Sequence, residues 1–460
     1  MNHSATEHPE PVRARGEETI SGTTIAFYSA PLAPAYLLYM MLTVVFMNFA
    51  TDVLLITPGV IGTIFFLSKI WDAISDPIVG ALSDASTSRF GRRKSWMVGS
   101  VILLIITSAM LWAPPATLTG YALTAWVAAS VFAFYTAFTA FAVPQMALGV
   151  ELSPSPHQRS RIFAGRQVGH TLGMLSAFLV ATPLVLDNPA ARQNAATLAL
   201  VGSTLLGTLI LAAAWQLPKE APRPNTRPSF APLAAARDVA ANPHARLILL
   251  VYFIEVFGIG ATSAMMPFLI IYVIDAADYI GLVFLFYTAP ALFSIPMWVR
   301  LGKRFERHKL WRLSMGLQAV GYGLILFQAE GRLLLMIVCC VLNGFASACG
   351  QTLGYSIKGD VIDWDELHTG KRKDGTYLAA WNLAAKLGTG LMIAISGWAL
   401  DWSGFVPNEP QTNLVRWTIK GMTGGAPFVC LLVGMALFSR FSLDNEEAAR
   451  VRAGLASRRT

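Results

Sequence analysis

Twelve apolar stretches, each near the ~20 residues that carry a helix across a bilayer, run through this chain of 460 residues. They fall near 32–50, 58–80, 96–114, 121–148, 163–186, 196–216, 246–274, 279–299, 312–329, 333–357, 377–400 and 422–441. Lipid offers the backbone no hydrogen bonds, so each stretch must satisfy its own polar groups as a helix. The composition agrees. Hydrophobic residues are 54% of the chain and charged residues 13%, against roughly a quarter charged in soluble domains. The mean hydropathy is +0.52. An even number of spans returns both ends to one side. Arg89, Arg92, Arg93 and Lys94, the run from Arg300 to Arg312, and Lys358, Lys371, Arg372 and Lys373 all follow spans that end on that side. Only Arg192, Arg332, Arg416 and Lys420 fall in the opposite connections, with Lys69 and Lys386 inside spans. The positive-inside bias therefore places both termini in the cytoplasm, and the expected location is the inner cell membrane, crossed many times. This bias also explains the net charge of +8, so no nucleic-acid partner is expected. The first 25 residues mix acids, bases and Pro and read as a cytoplasmic tail without a cleaved signal peptide. Cys339, Cys340, Cys349 and Cys430 all fall inside spans and form neither a disulfide framework nor a zinc spacing.

The connection from Pro218 to Ala245, rich in Pro, Ala, Arg and Lys, divides the spans six and six. The expected organisation is a tail over 1–25, a six-helix bundle over 26–217, a central loop over 218–245, a second bundle over 246–441 and a tail over 442–460. Pro232 to Ala241 could lie on the membrane surface as a short interfacial helix. After its second span, each half repeats a basic loop. The first reads Ser88-Arg89-Phe90-Gly91-Arg92-Arg93-Lys94, the second Gly302-Lys303-Arg304-Phe305-Glu306-Arg307. Two such loops at matching places imply parallel repeats, the plan of the major facilitator superfamily. The expected fold is all-α: twelve transmembrane helices in two six-helix bundles around a central cavity. The loops themselves are expected to brace helix ends.

Inside the second span stands Lys69-Ile70-Trp71-Asp72-Ala73-Ile74-Ser75-Asp76-Pro77. An ionisable residue at the bilayer centre costs a few kcal/mol on insertion scales, so it faces a cavity, a partner or a transported ion. Asp72, Ser75 and Asp76 share one helical face at i, i+3 and i+4, which suits one wall of a cation site. The plainer alternative is that Lys69 neutralises one of the carboxylates. Glu255, another acid within a span, suits a proton relay or pairing with a cavity base. No His cluster, zinc spacing, phosphate loop or nucleophile elbow appears, so neither an enzyme nor a bound cofactor is expected.

Three segments resemble the glycoside–pentoside–hexuronide:cation symporters. They are Trp71 to Pro77 running into Ser88 to Lys94; Ala147 to Ser153 followed by Arg159, Arg161 and Arg166; and Gly359 to Arg372 followed by Lys386-Leu387-Gly388. The resemblance implies alternating-access symport of a sugar, glycoside or uronide with sodium or a proton, by a chain working as a monomer in the lipid bilayer. A proton-driven efflux antiporter is the alternative. It implies a cation site at Asp72, Ser75, Asp76 and Thr139. Ser75 stands where the family has Asn, which brings proton coupling into play. It also implies a small-molecule site at Tyr36, Ala142, Met146, Arg166, Gln351, Trp381, Asn382 and Lys386. Tyr36 and Ala142 replace the acids that bind galactosides in the family, while Arg166 and Lys386 keep the basic side. That pattern favours a carboxylate-bearing solute. Finally, it implies a cytoplasmic gate between Arg159 and Arg161 on one bundle and Asp360 and Asp363 on the other.

Overall fold

The computed structural model describes residues 20–459 apart from 154, 187, 219, 221–238 and 240. The interfacial helix expected over 232–241 lies almost wholly outside the described residues. Among the described residues, twelve helical rods cross the structure. In the first bundle they are α1 (Gly22–Asp52), α2 (Pro58–Asp84), α3 (Arg92–Trp112), α4 (Gly120–Glu151), α5 (His157–Val185) and α6 (Ala191–Gln216). In the second they are α7 (Pro243–Ile274), α8 (Ala277–Gly302), α9 (Arg307–Ile325), α10 (Leu333–Thr369), α11 (Asp374–Ser403) and α12 (Asn413–Phe438). All but α2 and α9 are long and apolar enough to cross a membrane on length and composition alone. These two are the more polar: α2 carries Lys69, Asp72 and Asp76, and α9 opens with Arg307, Lys309 and Arg312. No strand occurs among the described residues.

The repeat is written into the helices. Helix α1 is interrupted at Ala30 and Pro31, and α7 at Gly260 and Ala261. Each then continues into a π-helical turn, Met41–Val45 in α1 and Ile270–Ile274 in α7. A π turn adds a residue and re-aims the helix face, and such turns favour functional positions. The two bundle-opening helices thus share the same irregularities in the same order.

The basic loops brace helix ends, as the sequence suggested. In the first bundle Arg92 at the start of α3 pairs with Glu151 at the end of α4 at 2.7 Å, and Arg93 bonds Asp84 and Glu151. Glu220 accepts from the backbone N–H groups of Arg93 and Lys94 at 3.0 and 2.9 Å, an anion at a helix N-terminus. Gly91 makes that approach with φ +103°, where a Cβ would lie 2.6 Å from the Glu220 carboxylate. The second bundle repeats the joint with Arg307 of α9 and Asp360 of α10 at 2.7 Å. The C-terminal segment, expected as a tail, is a helix, α13 (Asn445–Arg459). It is tied to α10 by Arg452 near Asp360 at 3.8 Å and Arg458 donating to the Leu367 carbonyl at 2.6 Å.

The bundles meet mainly along α2 and α11. Their backbones approach so closely that a Cβ on Gly62 would lie 2.9 Å from Ala394 Cα, and one on Gly397 2.3 Å from the Pro58 carbonyl. Small residues permit such contact between membrane helices. The Gly59 N–H donates to Asp401 at 3.0 Å, the Trp398 indole to Thr63 at 3.0 Å, and the Asn408 amide to the Asp52 carbonyl at 2.9 Å. Phe178 of α5 stacks on Phe284 of α8 at 4.3 Å. These contacts lie toward the lightly charged face. Nearest the basic face is Lys386 with Asp76; beyond it no hydrogen bond or ion pair joins the bundles among the described residues. Met146 of α4 and Tyr355 of α10, toward that face, are 53% and 63% exposed, so the cavity opens toward the basic face.

Candidate functional site

At mid-depth α2, α4 and α11 bring four polar side chains together. The α2 helix sets Asp72 and Asp76 one turn apart on the face toward α4. There the Thr139 hydroxyl lies 3.1 Å from a carboxylate oxygen of each. Lys386 reaches across from α11. Its ammonium lies 2.9 Å from Asp72 Oδ2, 2.6 Å from Asp76 Oδ2 and 3.0 Å from the Asp72 carbonyl. Three oxygens thus converge on one monovalent cation, and the contact spans the two bundles. Charge-assisted bonds of this kind are about twice as strong as neutral ones.

Lys69 does not neutralise these carboxylates. It is 6% exposed, donates to the Tyr39 hydroxyl at 3.1 Å and lies 4.5 Å from the Tyr135 ring centroid. Nor does the structure bring the Ser75 hydroxyl into the cluster. Ser75 is 4% exposed and its Oγ lies 3.4 Å from the Asp72 carbonyl of its own helix. A short side chain turned onto the preceding turn cannot also reach outward.

The expected solute residues take up two walls. On α4, Ala142 and Met146 continue the Thr139 face, and Met146 is 53% exposed. Tyr36 packs edge-on against His170 at 4.1 Å and touches Tyr39 and Phe138. Arg166 lies beside Gln145, with Nε 3.4 Å from its side-chain oxygen. Gln145 is held in turn by Tyr28, whose hydroxyl donates to the Gln145 carbonyl at 3.1 Å. Arg166 forms no ion pair among the described residues, and Glu255 is not its partner. On the other wall Gln351 and Asn382 are exposed, while Trp381 is buried with an indole N–H that meets no acceptor. Lys386, expected to meet the solute, is held by Asp72 and Asp76. A further base on this side of the second bundle is Lys358, a residue that hydropathy leaves in the loop after the tenth span. That lysine lies inside α10, 5% exposed, against the Tyr252 ring. A tenth span extended past Lys358 through the apolar Val361 and Ile362 to Trp364 would have captured it.

The four expected gate residues are not brought together across the bundles. Arg159 donates to the Ser153 carbonyl at 2.8 Å, and Arg161 to Gln158 at 2.9 Å. Asp360 serves the Arg307 brace, and Asp363 meets Arg372 at 3.3 Å. Each pair stays in its own bundle, as an opening toward the basic face requires.

Two repeated six-helix bundles around a cavity, joined through a charged cluster at mid-membrane, define a multi-pass membrane transporter of the major facilitator class. More particularly, the chain belongs to the MFS/sugar transport protein family, whose model matches residues 27–445. It is 25% identical to an uncharacterized symporter, sll1374, of Synechocystis sp., over 85% of this chain and 88% of the relative. It is 23% identical to the sodium-dependent lysophosphatidylcholine symporter 1 of Mus musculus, over 86% and 81%. Among solved structures, a bacterial homologue of the human lysosomal transporter Spinster matches with a TM-score of 0.67 at 13% identity, over 93% of this chain and 97% of that one. Its likeness is one of fold. The protein is a transporter and not an enzyme, and its named relatives are symporters.

Proposed function

We propose that the chain is a cation-coupled symporter of an anionic sugar such as a uronide, with both termini in the cytoplasm and the cavity of this structure open to it. The observation that carries the coupling is the Lys386 ammonium, held between Asp72 and Asp76 across the bundle interface. Oxygen ligands suit a hard monovalent ion, and the same carboxylates accept a proton. A sodium ion or proton arriving there competes with Lys386 and frees its ammonium. The freed lysine then offers its ammonium to the solute's ring oxygens. Cation and solute each favour the other's binding, which is what symport requires. The symporters among its relatives favour this over an efflux antiporter.

The solute class follows from the charges around the cavity. Lys69 and Lys358 are both buried and form no ion pair among the described residues, while Asp72 and Asp76 are already shared by Lys386. Charge buried without a partner is costly in a membrane, so the excess base is best answered by an anion. Proteoliposomes holding purified protein test both parts. D-glucuronate should be concentrated only under an inward sodium or proton gradient, and faster than D-glucose. Stimulation by sodium at fixed pH identifies one ion, and stimulation by acidification without sodium the other. Concentration with neither gradient would overturn the coupling.

A further inference from the structure

The second bundle holds an ionic centre that the Asp72–Asp76–Lys386 cluster does not use. Lys358 of α10 is buried, with its ammonium 3.4 Å from the Tyr252 ring centroid of α7, 5.1 Å from Tyr355 and 5.3 Å from Trp381 of α11. Glu255, also buried, lies one turn after Tyr252 on α7, yet Lys358 makes no ion pair among the described residues. Glu255 itself lies beside the Trp311 indole; a Cβ on Gly350 would be 3.6 Å from its carboxylate and 3.3 Å from Trp311 Nε1. Beside the ammonium stands a second donor without an acceptor among the described residues, the N–H of Trp381, a residue 4% exposed. Aromatic faces offset part of the cost of an unpaired ammonium, but they leave its hydrogen bonds unmade.

The surroundings are those of a ligand site. On α10, Gln351, Tyr355 and Lys358 follow one another at i, i+4 and i+7, a single helical face. Tyr355 is 63% exposed, and Gln351 is exposed too. On α11 the exposed Asn382 adjoins Trp381. Amides and aromatic faces around a buried positive charge suit a hydroxylated ring that carries an acid.

We propose that Lys358, Tyr252 and Trp381 form an anion-receiving subsite on the α7–α10–α11 wall, taking the carboxylate of the transported sugar acid. Glu255 is the internal counter-charge that the solute's carboxylate supplants, and Gln351 and Asn382 meet the ring hydroxyls. The subsite rests on the reading that the solute is an anionic sugar.

The test is binding of D-glucuronate and D-glucose to purified protein, read by calorimetry. It compares wild type with the double variant Glu255→Gln, Lys358→Gln, which removes one charge of each sign and leaves no unpaired charge to impair folding. Wild type should bind glucuronate more tightly than glucose. The double variant should lose about 10–100-fold in glucuronate affinity, the worth of one bond to a charged group, with glucose affinity unchanged. An unaltered response to sodium or acid shows that the Asp72–Asp76 cluster is intact. A wild-type preference that survives in the double variant overturns the subsite alone. Wild type that binds both equally, or neither, overturns the anionic-sugar reading and the subsite with it.

Discussion

On the proposed reading, Lys386 is the resident cation of a site that also admits a travelling one. Its bonds to Asp72 and Asp76, at 2.9 and 2.6 Å, compete directly with any ion that binds there. Removing the competitor should therefore tighten cation binding. Lys386→Gln is expected to raise cation affinity by roughly one to two decades, the equivalent of one charged hydrogen bond, while gradient-driven uptake is lost. Cation titration and flux on the same preparation check both, and a weaker cation affinity would count against displacement. Ser75 gives the opposite expectation. Its hydroxyl is taken up by the Asp72 carbonyl, so Ser75→Ala should leave the cation response within about 0.5 kcal/mol of wild type. A large loss in the same titration would return Ser75 to the site. The paired aspartates are legible in the sequence because two carboxylates one turn apart in an apolar span are too costly to sit there without a charge to bind. Their partner is not legible. Lys69 is nearer in sequence, but its side chain runs toward Tyr39 and Tyr135, and no local pattern shows that a residue 310 positions away fills the gap.

At the scale of elements, apolar length locates every crossing but misjudges where helices end. Hydropathy stops the tenth span at 357, whereas α10 runs to Thr369. Its last turns are polar yet remain helical because Asp360 pairs with Arg307 and Asp365 with Lys373 at 3.4 Å. Hydropathy reads a helix only as far as lipid reaches, so it leaves Lys358 in a loop. The parallel repeat is legible from the twin basic loops, and the matched breaks of α1 and α7 are not. The α2–α11 contact depends on glycines whose absent side chains let the backbones touch. Gly397→Val would drive a side chain into the Pro58 carbonyl, and overpacking of this kind costs typically 1–3 kcal/mol. Because that contact lies on the lightly charged face and joins the bundles there, the variant should open it. Cysteines placed at Asn48 or Gln411, which line an 820 Å³ recess on that face, should then label several-fold faster from that side. Unchanged labelling would mean that α2 and α11 do not form the seal.

For the whole molecule, transport needs two states separated by only a few kcal/mol, so that both are populated. In the state described, the basic face is open and Arg159, Arg161, Asp360 and Asp363 are all engaged within their own bundles. We infer that in the alternate state Arg159 reaches Asp363, whose present partner Arg372 is itself exposed. Arg159→Glu should then disfavour that state and speed labelling of a cysteine at Met146 from the basic face. Adding Asp363→Arg should restore protection, and failure to restore it would leave these charges as solvated neighbours. The most direct test of the coupling itself needs no solute. Thermal unfolding of the purified protein is followed against sodium concentration at fixed pH, and against pH without sodium, for wild type and for Asp72→Asn with Asp76→Asn. A bound ion stabilises the folded state by mass action, so the wild-type midpoint should climb with one of the two ions while the double variant stays flat. A double variant that climbs in parallel with wild type would place the cation elsewhere and contradict the role given to Asp72, Asp76 and Lys386.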